Sequence, residues 1–253
     1  GSEMCIRDSI RGEKLMLVGD PQQLKPVILL DELTNRKLRR KYHVADEYDY
    51  RENSIYKTYL ACDAVSDEIL LRNHYRCNKK IIDFNNKKYY NSKLQVQSDS
   101  RERQPLVYVN VDGGPGDMKN TSPAEVEEIM RYAGENPDKS IAVITPFVNQ
   151  RILIERGIKE NGFEHVVCGT VHAFQGDEKD VVLFSTALSD RTGKGTYDWL
   201  KNNKELINVA TSRAKDKLIL LADGKELERL HQGNEDDDLS LIHISEPTRQ
   251  EAI

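Results

Sequence analysis

Val166-Val-Cys-Gly-Thr-Val-His-Ala-Phe-Gln-Gly-Asp-Glu-Lys-Asp-Val-Val-Leu-Phe-Ser185 sets two apolar runs, Val166–Val171 and Val181–Ser185, on either side of a polar loop. Neither run alternates apolar with polar residues. A strand with one wet face alternates, whereas a strand covered on both faces reads as a continuous apolar run, and parallel sheets are covered on both faces. Short β-rich runs also occur at Leu15–Val18, Glu68–Leu71, Leu106–Val111, Ile141–Ile144 and Leu218–Leu221. Helical patterns fall between them. Asn78–Tyr90 places Ile81, Ile82, Asn85 and Tyr89 near helical spacing. Ser122-Pro-Ala-Glu125 has a capping Ser, a Pro in the first turn and a Glu three residues on, so a helix is expected to run to about Asn136. Val148–Glu160 ends at Asn161-Gly162, a C-cap pair, and Tyr197–Lys215 reads as one further helix. Strands alternating with helices imply βαβ units and an α/β fold. Residues 31–65, charged and Tyr-rich, read as a helix with a connecting loop, and Asp112–Gly116 as a loop.

The net charge is -5, which argues against a generic basic coat for nucleic acid. That charge is unevenly placed. Residues 231–253 carry -5 and residues 1–9 carry -1, leaving the body, 10–230, at +1. Both ends read as foreign to the fold: Cys5–Ser9 and Leu239–Gln250 resemble translated sequencing-adapter read-through. The four cysteines, Cys5, Cys62, Cys77 and Cys168, form no CxxC pair, so neither a metal site nor a disulfide framework is expected, and a reducing cytoplasm is the simplest compartment. No apolar run approaches the length of a membrane span, so no membrane partner is expected.

Four segments carry chemistry. In Leu15–Leu24 an apolar run ends in Gly-Asp-Pro followed by two amides, which puts Asp20, Gln22 and Gln23 where ligands gather beyond strand ends; a plain turn is the alternative. In Leu70–Arg76 the Arg76 guanidinium matches phosphate oxygens and Tyr75 can stack on a base, or both can be ordinary surface residues. In Gly169–Asp180 the Gln175-Gly176 turn lets backbone approach a ligand. There Thr170 and His172 can bond a nucleic-acid backbone and Glu178 a ribose hydroxyl, or the loop is a bare connection. In Ile207–Ala214 small helical residues precede Arg213, which reads as an arginine finger or as a surface Arg.

In order and wording, these segments resemble the C-terminal motor region of superfamily 1 helicases, branch 1B, the nonsense-mediated-decay and replication helicase-nuclease type. Gly19–Leu24 resembles motif III, Tyr75-Arg76 motif IV, and Thr145-Pro146-Phe147…Gln150 the Thr-Pro-Tyr…Gln segment. Thr170–Glu178 resembles motif V and Val209–Ala214 motif VI, with Ser212 where Thr is usual and Phe147 where Tyr is usual. The resemblance spans residues 13–223. It implies a RecA-like parallel sheet of the P-loop NTPase type with helices on both faces. Residues 10–30 are then a remnant of a first RecA-like domain, 31–65 a connection, 66–230 the second domain, and 231–253 an acidic tail. It implies ATP and Mg2+, with Gln23, Arg76 and Arg213 catalytic and Asp20, Tyr75, Gln175, Gly176 and Glu178 around the nucleotide. Thr145, Pro146, Thr170 and His172 would face a single strand of DNA or RNA.

No G-x-x-x-x-G-K-[ST] occurs in the chain. The phosphate loop and the Mg2+ ligands are therefore expected in an N-terminal RecA-like partner domain, and the chain alone is expected to be inactive. The alternative is a RecA-like module that binds nucleic acid or protein without motor activity. A nucleotide enzyme of another class, such as a kinase, leaves the paired Tyr-Arg and Ser-Arg elements unexplained.

Overall fold

The computed structural model describes residues 16–23, 28–49, 51–61, 69–112, 118–174 and 178–231. The chain divides into two compact units, residues 1–71 and 72–253.

In the first unit, helix α1 (Glu32–Tyr42) starts at Asp31, whose carboxylate accepts from Thr34 N at 2.9 Å, and stops at His43 in the left-handed region (φ 52°). The helix is polar almost all round, burying only Asn35, and ion pairs hold it to the next turn. Arg39 pairs with Asp46 and, at 2.6 Å, with Asp49, which also accepts from Asn35 at 2.8 Å. A short 3-10 turn (Asp46–Tyr48) and helix α2 (Ile55–Ala61) follow. The strand expected at Leu15–Val18 is absent from its described residues: 16–18 lack regular structure, and Met16 and Val18 are exposed. An apolar run becomes a strand only where another strand takes up its N–H and C=O groups, and no described residue pairs with it.

The second unit opens with a two-residue parallel ladder, β1 (Asn73–His74) on β2 (Gln95–Val96), with helix α3 (Lys79–Tyr89) between. The strand expected at Glu68–Leu71 is thus displaced: Ile69–Leu71 are exposed and pairing starts at Asn73. The main sheet holds β3 (Leu106–Asn110), β4 (Ile141–Thr145), β5 (Val166–Thr170), β6 (Lys179–Ser185) and β7 (Ala214–Ala222). It is wholly parallel in the order β3-β7-β6-β4-β5. The central strands are buried on both faces, as their continuous apolar runs require. Alternate residues (Ile141 and Val143, Val181 and Leu183, Ile219 and Leu221) pack against Ile129 and Ala133 of α4 (Pro123–Glu135) and Ile154 of α5 (Val148–Asn161). The intervening residues point to the other face, where α3 and α7 (Lys204–Thr211) lie on β7 and β6.

Two expected helix starts and stops are present: Ser122 Oγ accepts from Glu125 N at 3.4 Å, and Gly162 closes α5 at φ 68°. The capping box itself is not formed. Ser122 N donates to Gln150 Oε1 at 2.9 Å, and Glu125 turns inward instead of reaching back. The single helix expected over Tyr197–Lys215 is also corrected. It is α6 (Lys194–Asn202), a break at Asn203, α7, and then strand from Ala214. Asn is a poor helix former, and β7 gains ladders on both sides, so sheet pairing outweighs helix propensity. Helix α8 (Gly224–His231) ends the described chain. No described helix is long and apolar enough to cross a membrane.

Candidate functional site

The amino-terminal ends of β6 and β7 lie side by side, Lys179 opposite Ala214, with Lys179 N donating to Arg213 O at 3.2 Å. The residues just ahead of these strands, Glu178 and Arg213, are therefore neighbours. The turn between β1 and α3 reaches the same place. Cys77 N donates to His74 Nε2 at 3.1 Å, Cys77 Sγ to Ser212 O at 3.3 Å, and Asn78 N to Lys215 O at 2.7 Å. These three tethers aim Arg76 at Glu178. Arg76 Nε pairs with Glu178 Oε2, and Arg76 Nη1 donates to Ser212 O at 3.4 Å. Lys215 Nζ takes the other oxygen, Glu178 Oε1, at 3.0 Å.

Arg213 is 2% exposed and its Nε donates to Val209 O at 3.3 Å. Burial, and next the positive charge of Arg76, lower its pKa from the usual arginine value. Lys215, and next Arg76, hold the Glu178 carboxyl below its ordinary range. Burial and Arg76 likewise favour neutral His74, which suits its role as acceptor from Cys77. The Cys77 thiol is pushed up to about 12 by burial, so it is inert packing. Three cations and one carboxylate thus converge on one edge, an arrangement receptive to an anion.

A buried amide latch fixes the helix that leads into Arg213. Asn85 Nδ2 on α3 donates to Asn208 Oδ1 (2.7 Å) and Thr211 Oγ1 (2.9 Å) on α7, while Asn208 Nδ2 donates to Tyr90 Oη (3.0 Å). All three latch residues, Asn85, Asn208 and Thr211, are buried, so each amide that lost its partner would cost about 1–3 kcal/mol.

The other expected residues fall elsewhere. Asp20 and Gln23 belong to the first unit, where Asp20 caps its own turn, accepting from Gln22 N at 2.9 Å and Gln23 Nε2 at 3.2 Å. Tyr75 is 67% exposed beside Arg76. Gln175 and Gly176 lie outside the described residues, as does the side chain of His172. Thr145 and Thr170 are register partners at the carboxyl ends of β4 and β5, opposite the cationic edge. Thr145 is fully buried and its Oγ1 accepts from Phe147 N at 3.4 Å, so it shapes the turn that presents Pro146 instead of facing outward. Pro146 and Thr170 are partly exposed. The cationic cluster itself sits at the amino ends of β6 and β7.

A family model described as an AAA domain matches residues 51–225. It covers most of the chain and includes every residue of the cationic cluster. The chain belongs to this family, among the superfamily 1 helicases. Similar proteins include the 3'-5' exoribonuclease HELZ2 of Mus musculus, 27% identical over 264 residues, covering 87% of this chain and 8% of that protein. The uncharacterized ATP-dependent helicase MJ0104 of Methanocaldococcus jannaschii is 28% identical over 245 residues, covering 86% of this chain and 33% of its own. The human DNA replication ATP-dependent helicase/nuclease DNA2 is 25% identical over 263 residues, covering 86% of this chain and 23% of its own. The chain therefore spans a third or less of these relatives' lengths.

Within this RecA-like helicase domain, the sequence motifs left out several working residues. Lys215 follows Arg213 by two positions and reads as a helix end, yet it is a partner of Glu178. Asn85 falls at helical spacing with Ile81, Ile82 and Tyr89, and Asn208 lies in the Ile207–Ala214 segment, but only the structure pairs them as the latch. Among the described residues no three His, Cys, Asp or Glu side chains cluster as metal ligands would. Those residues hold no ligand set for Mg2+.

Proposed function

We propose that this chain supplies the arginine side of the ATP site, and part of the single-strand track, of an ATP-dependent helicase or translocase. What carries the reading is the pairing of Arg76 and Lys215 with Glu178 at the edge where Arg213 lies buried. Phosphate oxygens entering this edge replace the Glu178 carboxylate as the acceptor for Arg76, whose planar fork suits them. Arg213, already fixed by the latch and crowded by Arg76, stabilises the charge that builds on the transferred phosphoryl group. Glu178, still held by Lys215, turns to the ribose hydroxyls, and exposed Tyr75 covers the base. Gln23 senses the γ-phosphate, and Asp20, Gln175 and Gly176 contact the nucleotide. Pro146, Thr170 and His172 contact the backbone of a single strand, with Thr145 holding the Pro146 turn.

The test uses the intact helicase. Arg213→Ala is expected to reduce ATP turnover by about 10³–10⁵, with single-strand affinity within about twofold of the unmodified protein. Equal turnover in the two proteins removes the finger role. The 253-residue chain assayed alone is expected to show no strand-stimulated hydrolysis, because it holds no Gly-rich phosphate loop.

A further inference from the structure

The carboxyl edge of the sheet carries an aromatic cleft that the nucleotide chemistry does not use. A space of about 330 Å³ is lined by Asn120, Phe147, Gly195, Thr196 and Trp199, which puts it at the small end of ligand sites. Phe147 directly follows Pro146 and is buried, while Trp199 on α6 is 46% exposed; the two rings lie 6.0 Å apart at 40°. An indole left this open beside a second ring is a flat apolar face turned partly to solvent. The rim is fixed: Asn149 Nδ2 in the first turn of α5 donates to Lys119 O at 3.0 Å. The side chains of Asn120 and Thr196 make no hydrogen bond among the described residues, so both are available to a polar ligand edge. Lys119 and Lys194 flank two of the lining residues, are exposed, and take part in no ion pair among the described residues. Lys201 on the same helix, by contrast, pairs with Asp198 at 3.2 Å.

We infer that this cleft is a base-stacking subsite for a single-stranded nucleic acid, with one nucleobase laid on Trp199. The inference rests on the strand reading of this edge given above. A stacked base needs a π face, edge groups that tolerate any base, and cations for the adjoining phosphates. Trp199 with Phe147, Asn120 with Thr196, and Lys119 with Lys194 supply these in turn. The mode is sequence-tolerant, because every base has a face and the amide and hydroxyl can each donate or accept.

The chain contains one tryptophan, so its indole fluorescence reports on Trp199 alone. The intact 253-residue chain is titrated with a fluorescent oligothymidylate, following both probe anisotropy and indole emission, and then with an abasic strand of equal length. The expected result is binding accompanied by indole quenching with the base-bearing strand and no quenching with the abasic one. Trp199→Ala is expected to weaken binding about tenfold, while Trp199→Phe, which keeps a ring, loses less. Binding seen by anisotropy with unchanged indole emission, or undiminished in Trp199→Ala, overturns the subsite and leaves the strand reading standing. Absence of binding by either signal overturns both.

Discussion

Two glutamates at opposite edges of the same sheet have opposite fates. Glu178, at the amino edge, is 38% exposed and sits between Lys215 and Arg76, which hold its carboxyl below the ordinary range. Glu125, beneath the carboxyl edge, is 0% exposed and has no ion pair among the described residues. It accepts from Ser185 Oγ at 2.5 Å, Thr186 Oγ1 at 3.3 Å and Ala187 N at 3.0 Å. Burial nevertheless outweighs these donors and pushes its carboxyl up to about 8. The contrast separates two uses of polarity. At the amino edge charge is near the surface and can exchange partners, which a phosphate site needs. Beneath the carboxyl edge polarity is spent on holding backbone: Gln150 joins Ser122 to Ser185, and Glu125 pins Ala187, a non-glycine residue at φ 49°.

The sharpest way to break this contrast is Glu125→Ala. It strands the Ala187 N–H and weakens the bonding of two hydroxyls in a site closed to water. An expected loss of about 3 kcal/mol, read as a melting temperature lower by about 6–12 °C, follows. Glu125→Gln keeps an acceptor for Ala187 and is expected to lose much less. A loss below about 1 kcal/mol for the alanine variant would show that the carboxyl edge does not depend on this residue.

The pH profile sharpens the same contrast. A carboxyl whose folded pKa lies above its unfolded value binds its proton more tightly when folded. The Glu125 contribution is therefore whole below the ordinary glutamate value of 4.5 and shrinks as pH rises toward about 8. Glu178 behaves in the reverse sense: its contribution is whole above 4.5 and is lost as pH falls through its lowered folded value. Melting temperatures measured from pH 4 to pH 9 should lose their alkaline decline in Glu125→Gln and part of their acid decline in Glu178→Gln. The second change is the smaller, because Glu178 is solvent-screened. An unchanged alkaline limb in Glu125→Gln would mean that Glu125 is ionised in the fold at neutral pH.

What the sequence made legible follows the physics of each element. The apolar runs at Ile141–Ile144 and Val181–Ser185 announced central parallel strands because burial on both faces permits no alternation. The first half of β7 was hidden, since Lys215, Asp216 and Lys217 reach solvent and mimic a helix end, and only the register with β6 makes them strand. Arg76, Glu178 and Arg213 are visible one at a time, but sequence carries no sign that Arg76 meets Glu178 across 102 residues and the Ser212 carbonyl beside Arg213 across 136. Glu125 read as a capping acid because its position fits a capping box, whereas Gln150 takes the Ser122 N–H and frees Glu125 to turn inward. Trp199 gives no signal in the sequence because exposure, not residue type, makes it a candidate platform.

The smallest expected effect tests the amino edge from the other side. Lys215 and Glu178 are 41% and 38% exposed, so their pair, despite its 3.0 Å length, is screened by water and contributes little to folding. Lys215→Ala is therefore expected to change stability by no more than about 0.5 kcal/mol. Its effect should appear in Glu178 itself. Lys215 is the largest influence lowering that carboxyl, with Arg76 the next, so removing the lysine should raise the Glu178 pKa part of the way back while Arg76 keeps it below its ordinary value. A carboxylate-resolved NMR titration of Lys215→Ala beside the unmodified chain measures this directly. A loss as large as that of Glu125→Ala would mean the amino edge is held together by its charges as tightly as the carboxyl edge is by its hydrogen bonds. Charges bound that firmly would not be free to exchange partners with a phosphate.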